Sequence, residues 1–334
     1  MSNLRIPALV RALSYKTTAL LVVTALGVTA LNADISYTGS VSPAPAAGSS
    51  NWEVNGNVAV GATLAFGLNA TVGHLVISES SVSISGTFSV TGGKQHMAPS
   101  SILVTSNSSM TLGAMVLGVS NYTGVVTLSE GSSLTVTNGI NVVSGVSMNV
   151  SGIFVRQGSA VSASSLSLNG GYLTLSGAVL TIDGAINLAT SYNNITMAWA
   201  DSDSKIDAGS LRTGENTMFG LSVDMSADPS TYEPIVSLDS ITLNGVHMLT
   251  LNNLEDDPLS RQILLIEVAE AVADASKAKT WSISGDKTDV YADRLSTQWI
   301  GNSLYLVISD IPEPALSATF LTLLALAAAA RRRK

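Results

Sequence analysis

The feature of this sequence that most constrains its fold is a series of short segments in which apolar and small polar residues alternate. The alternation runs through residues 82–85, 134–137, 166–168, 173–175 and 241–243. A period of two residues with many β-branched side chains is typical of a strand that buries one face and exposes the other. The middle of the chain is therefore predicted to consist of short strands.

The strands recur with a loose period. Serine-rich groups at 78–81, 106–109 and 129–133 each follow an apolar strand, and the units repeat about every 20 to 28 residues. Repeats of this length indicate a solenoid, in which each coil stacks on the one before it. Coils that stack Ser, Thr, Asn and Val in register need few aromatic or charged side chains, and the chain contains only 5% and 12% of these.

We therefore expect an all-β fold, a right-handed parallel β-helix with a terminal hydrophobic helix. The alternative is a β-sandwich, because Asn138-Gly139 and Asn244-Gly245 are dipeptides that favour hairpin turns. Past residue 182 charged residues become frequent, which predicts a decorated, acidic C-terminal half of one domain. Within it, residues 267–279 are a candidate short helix or ordered insertion, and residues 299–308 are a candidate closing hairpin.

Residues 1–33 have the order of a secretory signal peptide. Arg5, Arg11 and Lys16 precede an apolar run at 19–31, and small residues follow it. A basic region, an apolar core and a small-residue cleavage site direct export through the general secretion machinery. Ala30 and Ala33 are both candidate cleavage positions.

The C-terminal residues 311–334 have three parts. The tripeptide Pro312, Glu313 and Pro314 predicts an extended, accessible joint, since proline fixes φ and ends regular structure. Residues 315–330 are mostly apolar and are followed by a basic tail, which consists of Arg331, Arg332, Arg333 and Lys334. A short apolar helix with a basic cytoplasmic end can stop translocation and leave the preceding domain outside.

This arrangement resembles the PEP-CTERM sorting signal, which is found on exported proteins of Gram-negative bacteria that make extracellular polysaccharide. The resemblance implies an exosortase-type membrane enzyme as a partner, cleavage near Pro312-Glu313-Pro314, and transient anchoring in the inner membrane. It also implies a final place in the envelope, on the outer surface or outside the cell, with extracellular polysaccharide as a candidate partner. The strand repeats resemble those of autotransporter-like surface proteins, although only in composition.

The domain between the two signals, residues 34–310, is predicted to be acidic. Nine basic and 23 acidic side chains lie between residues 34 and 311. A surface of this charge argues against nucleic acid as a partner, because nucleic-acid binding depends on cationic side chains. The chain has no cysteine, which excludes disulfides and thiolate metal sites.

Few residues suggest a catalytic or metal-binding site, and neither a cofactor nor a metal is predicted. The carboxylates of Asp201, Asp203 and Asp207 are weak calcium candidates, but lysine and isoleucine stand at 205 and 206, where an EF-hand loop has a ligand and glycine. A solvated acidic loop is the alternative. His74, His96 and His247 are scattered and are expected on the surface or in loops.

The repeat region is not expected to be an enzyme. Catalysis on polysaccharide would require paired carboxylates or a basic residue near a groove, yet the region contains chiefly Glu79, Lys94, Glu130 and Arg156. The aromatic candidates for stacking on sugars there are Trp52, Tyr122 and Tyr172. We expect an exported structural or adhesin-like protein of the cell surface or matrix. The alternative is a carbohydrate-active enzyme or lectin on the same scaffold.

Overall fold

The structure is a computed structural model, and it describes a series of segments between residues 36 and 309. The segments are 36–38, 51–58, 63–66, 69–90, 93–94, 100–118, 122–143, 151–188, 196–226, 233–256 and 258–309. The candidate cleavage sites at Ala30 and Ala33 lie outside them. So do the sorting tripeptide, the candidate helix at 315–330 and the basic tail.

The described residues form β-strands almost throughout, with one short helix, α1 (Asp274–Lys277). The strands in chain order are β1 (Ser36–Thr38), β2 (Asn51–Val58), β3 (Thr63–Phe66), β4 (Asn69–Ser78), β5 (Ser81–Val90), β6 (Gly93–Lys94), β7 (Ser100–Thr105), β8 (Ser109–Leu117), β9 (Tyr122–Leu128), β10 (Ser133–Val136), β11 (Ile140–Val143), β12 (Gly152–Arg156), β13 (Ala160–Ala163), β14 (Leu166–Asn169), β15 (Gly171–Ser176), β16 (Val179–Leu188), β17 (Thr196–Asp201), β18 (Lys205–Thr213), β19 (Thr217–Asp224), β20 (Val236–Thr242), β21 (Val246–Asn252), β22 (Arg261–Val268), β23 (Trp281–Gly285), β24 (Leu295–Ile300) and β25 (Ser303–Ile308).

These strands build three parallel sheets that each coil visits in turn. Sheet A is formed by β3, β5, β8, β10, β13, β16, β18, β20 and β22. Sheet B contains the second halves of β5, β8, β16, β18 and β20 together with β11 and β14. Sheet C is formed by β4, β7, β9, β12, β15, β17, β19, β21 and β23. The parallel β-helix predicted from the sequence is confirmed, and the alternative β-sandwich is wrong.

The coil length varies more than the sequence suggested. Along sheet A, Thr63 pairs with Ser81 of the next coil, a step shorter than the predicted repeat. The step from Ile206 to its partner Val236 is longer than that repeat. The strands remain in register, so the additional residues lie in the connections. This is why the repeat is weak in the sequence.

The core is a stack of aliphatic side chains that point inward from all three sheets. On sheet A, Leu134, Val161, Leu180 and Ile206 follow one another in register, and each is at most 3% exposed. Burying one such side chain contributes about 1.5 to 3 kcal/mol. The inner positions alternate with exposed ones along each strand, as the two-residue period of the sequence predicts.

A ladder of buried serines lines the corner between sheets C and A. The backbone N–H of Ser80 donates to Oγ of Ser108, that of Ser108 to Ser132, and that of Ser132 to Ser159, at 3.1 to 3.2 Å. Ala178 takes the next place, and its N–H donates to Oγ of Ser204 at 3.3 Å. The serine-rich groups of the sequence are therefore corners, in which each hydroxyl accepts a bond from the coil before it.

These corners also require left-handed backbone. Glu79, Asn107, Glu130 and Gln157 have φ between 48° and 57°, although they are not glycines. Such a φ strains most side chains, and asparagine tolerates it best. Each corner keeps this conformation because the stacked coils fix the chain on both sides.

Gly113, between the sheet A and sheet B halves of β8, is needed for close approach of two coils. A Cβ atom there would lie 2.0 Å from the carbonyl oxygen of Ser85 and 2.8 Å from that of Gly86. Any larger side chain would push these two coils apart.

The C-terminal end is closed by antiparallel strands. Strands β24 and β25 form a hairpin, and β25 also pairs with β22, whose last residues join sheet A. The predicted closing hairpin is confirmed, whereas the candidate helix at 267–279 is reduced to the short α1. Arg294, 6% exposed, donates from Nε to the carbonyl of Ser309 and from Nη2 to that of Pro258. Among the described residues no helix is long and apolar enough to cross a membrane.

Candidate functional site

The outer side of sheet A presents a row of hydroxyl groups, which we name the hydroxyl face. Its members lie directly above one another in register and are partly or fully exposed. They are Ser83, Thr111, Thr135, Ser162 and Thr181. Adjacent strands are about 4.8 Å apart, so the hydroxyls repeat at that interval along the axis of the solenoid.

A second, shorter row lies beside it. Ser81, Ser109 and Ser133 are stacked two residues before the first row, and Oγ of Ser109 donates to Oγ of Ser81 at 2.8 Å. The two rows together make a flat surface without charge. Each hydroxyl can both donate and accept a hydrogen bond, so such a surface can bind a polar partner in several registers.

The hydroxyl face ends where the chain becomes acidic. In the same row, Asp207 follows Thr181 and pairs with Ser237, which in turn pairs with Glu267. The strand geometry continues across this boundary, and only the outward side chains change.

The three calcium candidates are not gathered into a site. Oδ1 of Asp201 accepts bonds from the N–H of Gly177 at 3.0 Å and from Oγ of Ser204 at 2.6 Å. Asp203 is exposed in the following turn, and Asp207 points outward from β18. In the part of the chain that the structure describes, no group of three or more His, Asp or Glu side chains could hold a metal ion.

Two exposed carboxylates are held by hydroxyl and amide groups. Oε2 of Glu130 accepts from Oγ1 of Thr105 at 2.8 Å and from Oγ of Ser106 at 3.0 Å, and these bonds lower the pKa of Glu130. The Asn253 amide, followed by the backbone and hydroxyl of Ser226, lowers the pKa of Asp224. A general acid requires the opposite shift, so both groups fit a structural role.

The sequence was misleading about His247. It is not a surface residue but 1% exposed, and it faces the core between Phe219 and Trp281 in sheet C. Its ring centre lies 5.2 Å from that of Trp281. Burial, followed by the charge of Lys279, lowers the pKa of His247 to about 4. His96 lies outside the described residues, as does the side chain of His74.

The outer side of sheet C carries aromatic residues that the sequence did not single out. Phe154 and Trp199 are partly exposed and lie in one row, with Thr174 between them. Tyr172, a candidate from the sequence, lies in the neighbouring row, while the side chains of Trp52 and Tyr122 are outside the described residues. The row could be recognised only once the coil lengths were known, because its members are unequally spaced along the chain.

A cavity of about 390 Å³ lies at the C-terminal end, between β23 and β24. Trp281, Ile283 and Leu295 contribute its apolar surface, and Thr288, Ser296 and Thr297 contribute hydroxyls. It contains no charged residue and therefore offers no acid or base for catalysis.

Comparison of the chain with protein-family models, curated proteins and solved structures gave no match.

Proposed function

We propose that the protein is an exported structural or adhesin-like component of the cell surface or extracellular matrix. The observation that carries the proposal is the hydroxyl face. Its five stacked Ser and Thr residues, from Ser83 to Thr181, form an uncharged surface on a rigid scaffold.

Repetition is what makes such a face useful for adhesion. A single exposed hydroxyl gains little by bonding to a partner, because it gives up a bond to water. Identical groups at intervals of about 4.8 Å can engage a repetitive partner many times, and linked weak contacts reinforce one another. A scaffold or adhesin requires this property, whereas an enzyme does not.

Two carboxylates among the described residues favour the same role. Glu130 and Asp224 are each bonded to hydroxyl or amide groups and have a lowered pKa, so neither is poised to donate a proton. A polysaccharide hydrolase requires one carboxyl group with a raised pKa near a second carboxylate.

Export and sorting are the second part of the proposal. The signal peptide at 1–33 would direct the chain through the secretion machinery, and the tail at 311–334 would hold it in the inner membrane until an exosortase cleaves near Pro312-Glu313-Pro314. The acidic domain between them would then reach the envelope surface or the matrix.

The sorting step is tested by deleting residues 312–334 and following the protein in its own host. The intact chain should lose the mass of its tail and leave the inner membrane, whereas the deleted chain should never be anchored. A matched variant, Arg331 to Lys334→Ala, should weaken retention in the membrane while leaving the joint intact. An intact chain that keeps the full mass of its tail, and so stays heavier than the deleted chain, would refute the sorting role.

Adhesion is tested on the hydroxyl face with Thr111, Thr135 and Thr181 changed together. Thr→Val at the three sites removes the hydroxyls and keeps the shape, whereas Thr→Ser keeps the hydroxyls. Cells with the Val variant should lose surface attachment or matrix retention, and cells with the Ser variant should keep them. The surface role is wrong if both variants and a strain without the protein behave like the parent.

A further inference from the structure

The outer side of sheet C has a second periodicity, along the axis of the solenoid. Along one row of paired residues, large apolar side chains alternate with small ones from coil to coil. We name the part of this row from Leu103 onward, which follows the apolar Val76, the ridge row, and its members are Leu103, Thr127, Phe154, Thr174, Trp199, Gly220, Met248 and Ser282. Leu103, Phe154, Trp199 and Met248 are the ridges, and each is partly exposed.

The indole of Trp199 lies over the next residue in the row, Gly220. A Cβ atom on Gly220 would lie 2.0 Å from Cε3 and 2.1 Å from Cζ3 of Trp199. The indole therefore occupies the place that a side chain at 220 would take. It covers the neighbouring coil and leaves its outer surface toward solvent.

The ridge row and the row beside it carry no charge among their described members. The neighbouring row consists of Val125, Gly152, Tyr172, Met197, Met218 and Val246. Val246 is 50% exposed, and the others are partly or fully buried. An uncharged strip with several partly exposed apolar side chains on a water-facing sheet is a recognised mark of a binding surface.

We propose that the ridge row binds a neutral, extended, β-1,4-linked glycan that lies along the solenoid axis. The spacing carries this assignment. Neighbouring coils are about 4.8 Å apart, so the backbone positions of Phe154 and Trp199, two coils apart, are separated by about 9.6 Å along the axis, and the ridge positions recur at that interval. This is about the length of a disaccharide in such a chain.

The chemistry of the chain fits the alternation. In an extended β-1,4-linked glycan each sugar is turned over relative to the one before, so the same ring face recurs at every second sugar. The apolar C–H face of one sugar can rest on each ridge, as aromatic side chains offer flat apolar surface. The intervening Thr127 and Thr174 offer hydroxyls to the sugar between two ridges.

Charge decides between neutral and anionic chains. The predicted mature domain has nine basic and 23 acidic side chains, and among the described residues the row on the other side of the ridge row contains one cation, the exposed Arg156. An anionic glycan would meet repulsion from the acidic domain that the single charge of Arg156 offsets only near Phe154. The inference rests on the proposed function only in that export brings the protein into contact with glycans. The site itself can be tested on purified protein.

The test is binding of cellohexaose to the purified full-length protein, measured by calorimetry and by tryptophan fluorescence. We expect binding that Trp199→Ala weakens about tenfold, with Phe154→Ala weakening it by a similar factor. Gly220→Ala should also weaken binding, because the new methyl group displaces the indole. Trp299→Ala in the closing hairpin removes an equal ring elsewhere and should leave the affinity unchanged.

Two further ligands test the shape and the charge of the site. Maltohexaose, whose α-linkage curves the chain, and hexagalacturonate, which is anionic, should each bind at least tenfold more weakly than cellohexaose. Absence of cellohexaose binding would overturn the inference, and so would binding that Trp199→Ala and Phe154→Ala leave unchanged. Self-association of the protein that Trp199→Ala abolishes would assign the ridge row to a second copy of the chain. None of these outcomes alters the attachment phenotype of the hydroxyl-face variants, so the two proposals fail separately.

Discussion

Two stretches of equal length, residues 75–188 and 196–309, are built on the same coil and yet differ in charge. The first contains five charged residues and the second contains 24. The inward side chains are mostly of the same kind, because the buried aliphatic stack and the buried corner hydroxyls continue through Ser204 and Thr217, although the second stretch also buries His247 and Trp281. The difference shows that the coil is specified by its inner positions and leaves its outer positions free.

The coils of the two stretches also differ in length. On sheet A the first stretch includes a short step, from Ala160 to its partner Val179. The last two steps on that sheet, from Ile206 to Val236 and from Val236 to Ile266, are its longest. The longer coils carry the acidic loops, and the antiparallel hairpin then covers the end of the stack. We therefore expect the first stretch to be sensitive to substitutions that obstruct stacking, and the second to those that release its cap.

The largest effect is expected from Gly113→Val in the uncharged stretch. A Cβ at 113 would overlap the carbonyl oxygen of Ser85, so the coils would have to separate, at a cost of about 3 kcal/mol or more. Urea unfolding followed by circular dichroism measures the loss. Gly158→Asn is the control, because no atom lies within 4 Å of a Cβ there and asparagine tolerates its φ of 73°. Equal stability of both variants would contradict the close stacking of these coils.

Lowering the pH should destabilise the charged stretch first, because His247 must be protonated there. Burial favours the neutral imidazole of His247. In the unfolded chain His247 is protonated below pH about 6.5, whereas in the folded chain it is protonated only below pH about 4. The free energy of unfolding should fall by about 3 kcal/mol across that window and level off below it. His247→Leu should flatten this part of a stability curve against pH. A slope unchanged by the substitution would mean that His247 is protonated in the fold.

The C-terminal cap is the hairpin of β24 and β25, which pairs with β22. Its detachment from the stack is tested with Arg294→Ala. The substitution leaves the carbonyls of Pro258 and Ser309 without their cationic donor, at a cost of about 2 kcal/mol. Hydrogen exchange should accelerate within 258–309 and remain unchanged within 101–188. The exposed Arg212→Ala should change stability by less than about 0.5 kcal/mol. Uniform acceleration across the chain would mean that the cap does not open separately.

The smallest expected effect comes from the serine ladder. Ser132→Ala removes one of two acceptors of the Ser108 N–H, which also donates to the carbonyl of Thr105 at 3.2 Å, and should cost at most about 1 kcal/mol, whereas the neighbouring Ser133→Ala on the outer side should cost almost nothing. Ala178→Ser should restore the one missing rung and raise the melting temperature slightly. If the Ser132→Ala and Ser133→Ala variants have the same melting temperature, the serine ladder makes no net contribution to stability.

The sequence predicts the coil better than the surface. Two-residue alternation and the serine-rich groups at 78–81, 106–109 and 129–133 indicate strands and corners, and the structure contains both where predicted. These signals are local, since the buried residue and its corner lie within a few positions of one another. The hairpin reading of Asn138-Gly139 was wrong because the same dipeptide also suits a corner between parallel strands.

The rows on the outer faces could not be predicted in the same way. Phe154 and Trp199 lie far apart in sequence, and their alignment depends on the lengths of two unequal coils. The error on His247 has a related cause. Nothing in the local pattern distinguishes an inward histidine from an outward one until the strand register around Phe219 and Trp281 is known.

Outward residues rise by one strand spacing per coil, and both proposed surfaces depend on that register. The chain has no cysteine, so pairs of cysteines can be introduced for spin labels without interference. Ser83 and Ser237 are six coils apart in one row, and Thr111 and Ser237 are five. Pulsed electron resonance should give distances of about 29 Å and about 24 Å, which differ by one strand spacing. Equal distances, or a longer one for the Thr111 pair, would contradict the register and both surfaces built on it.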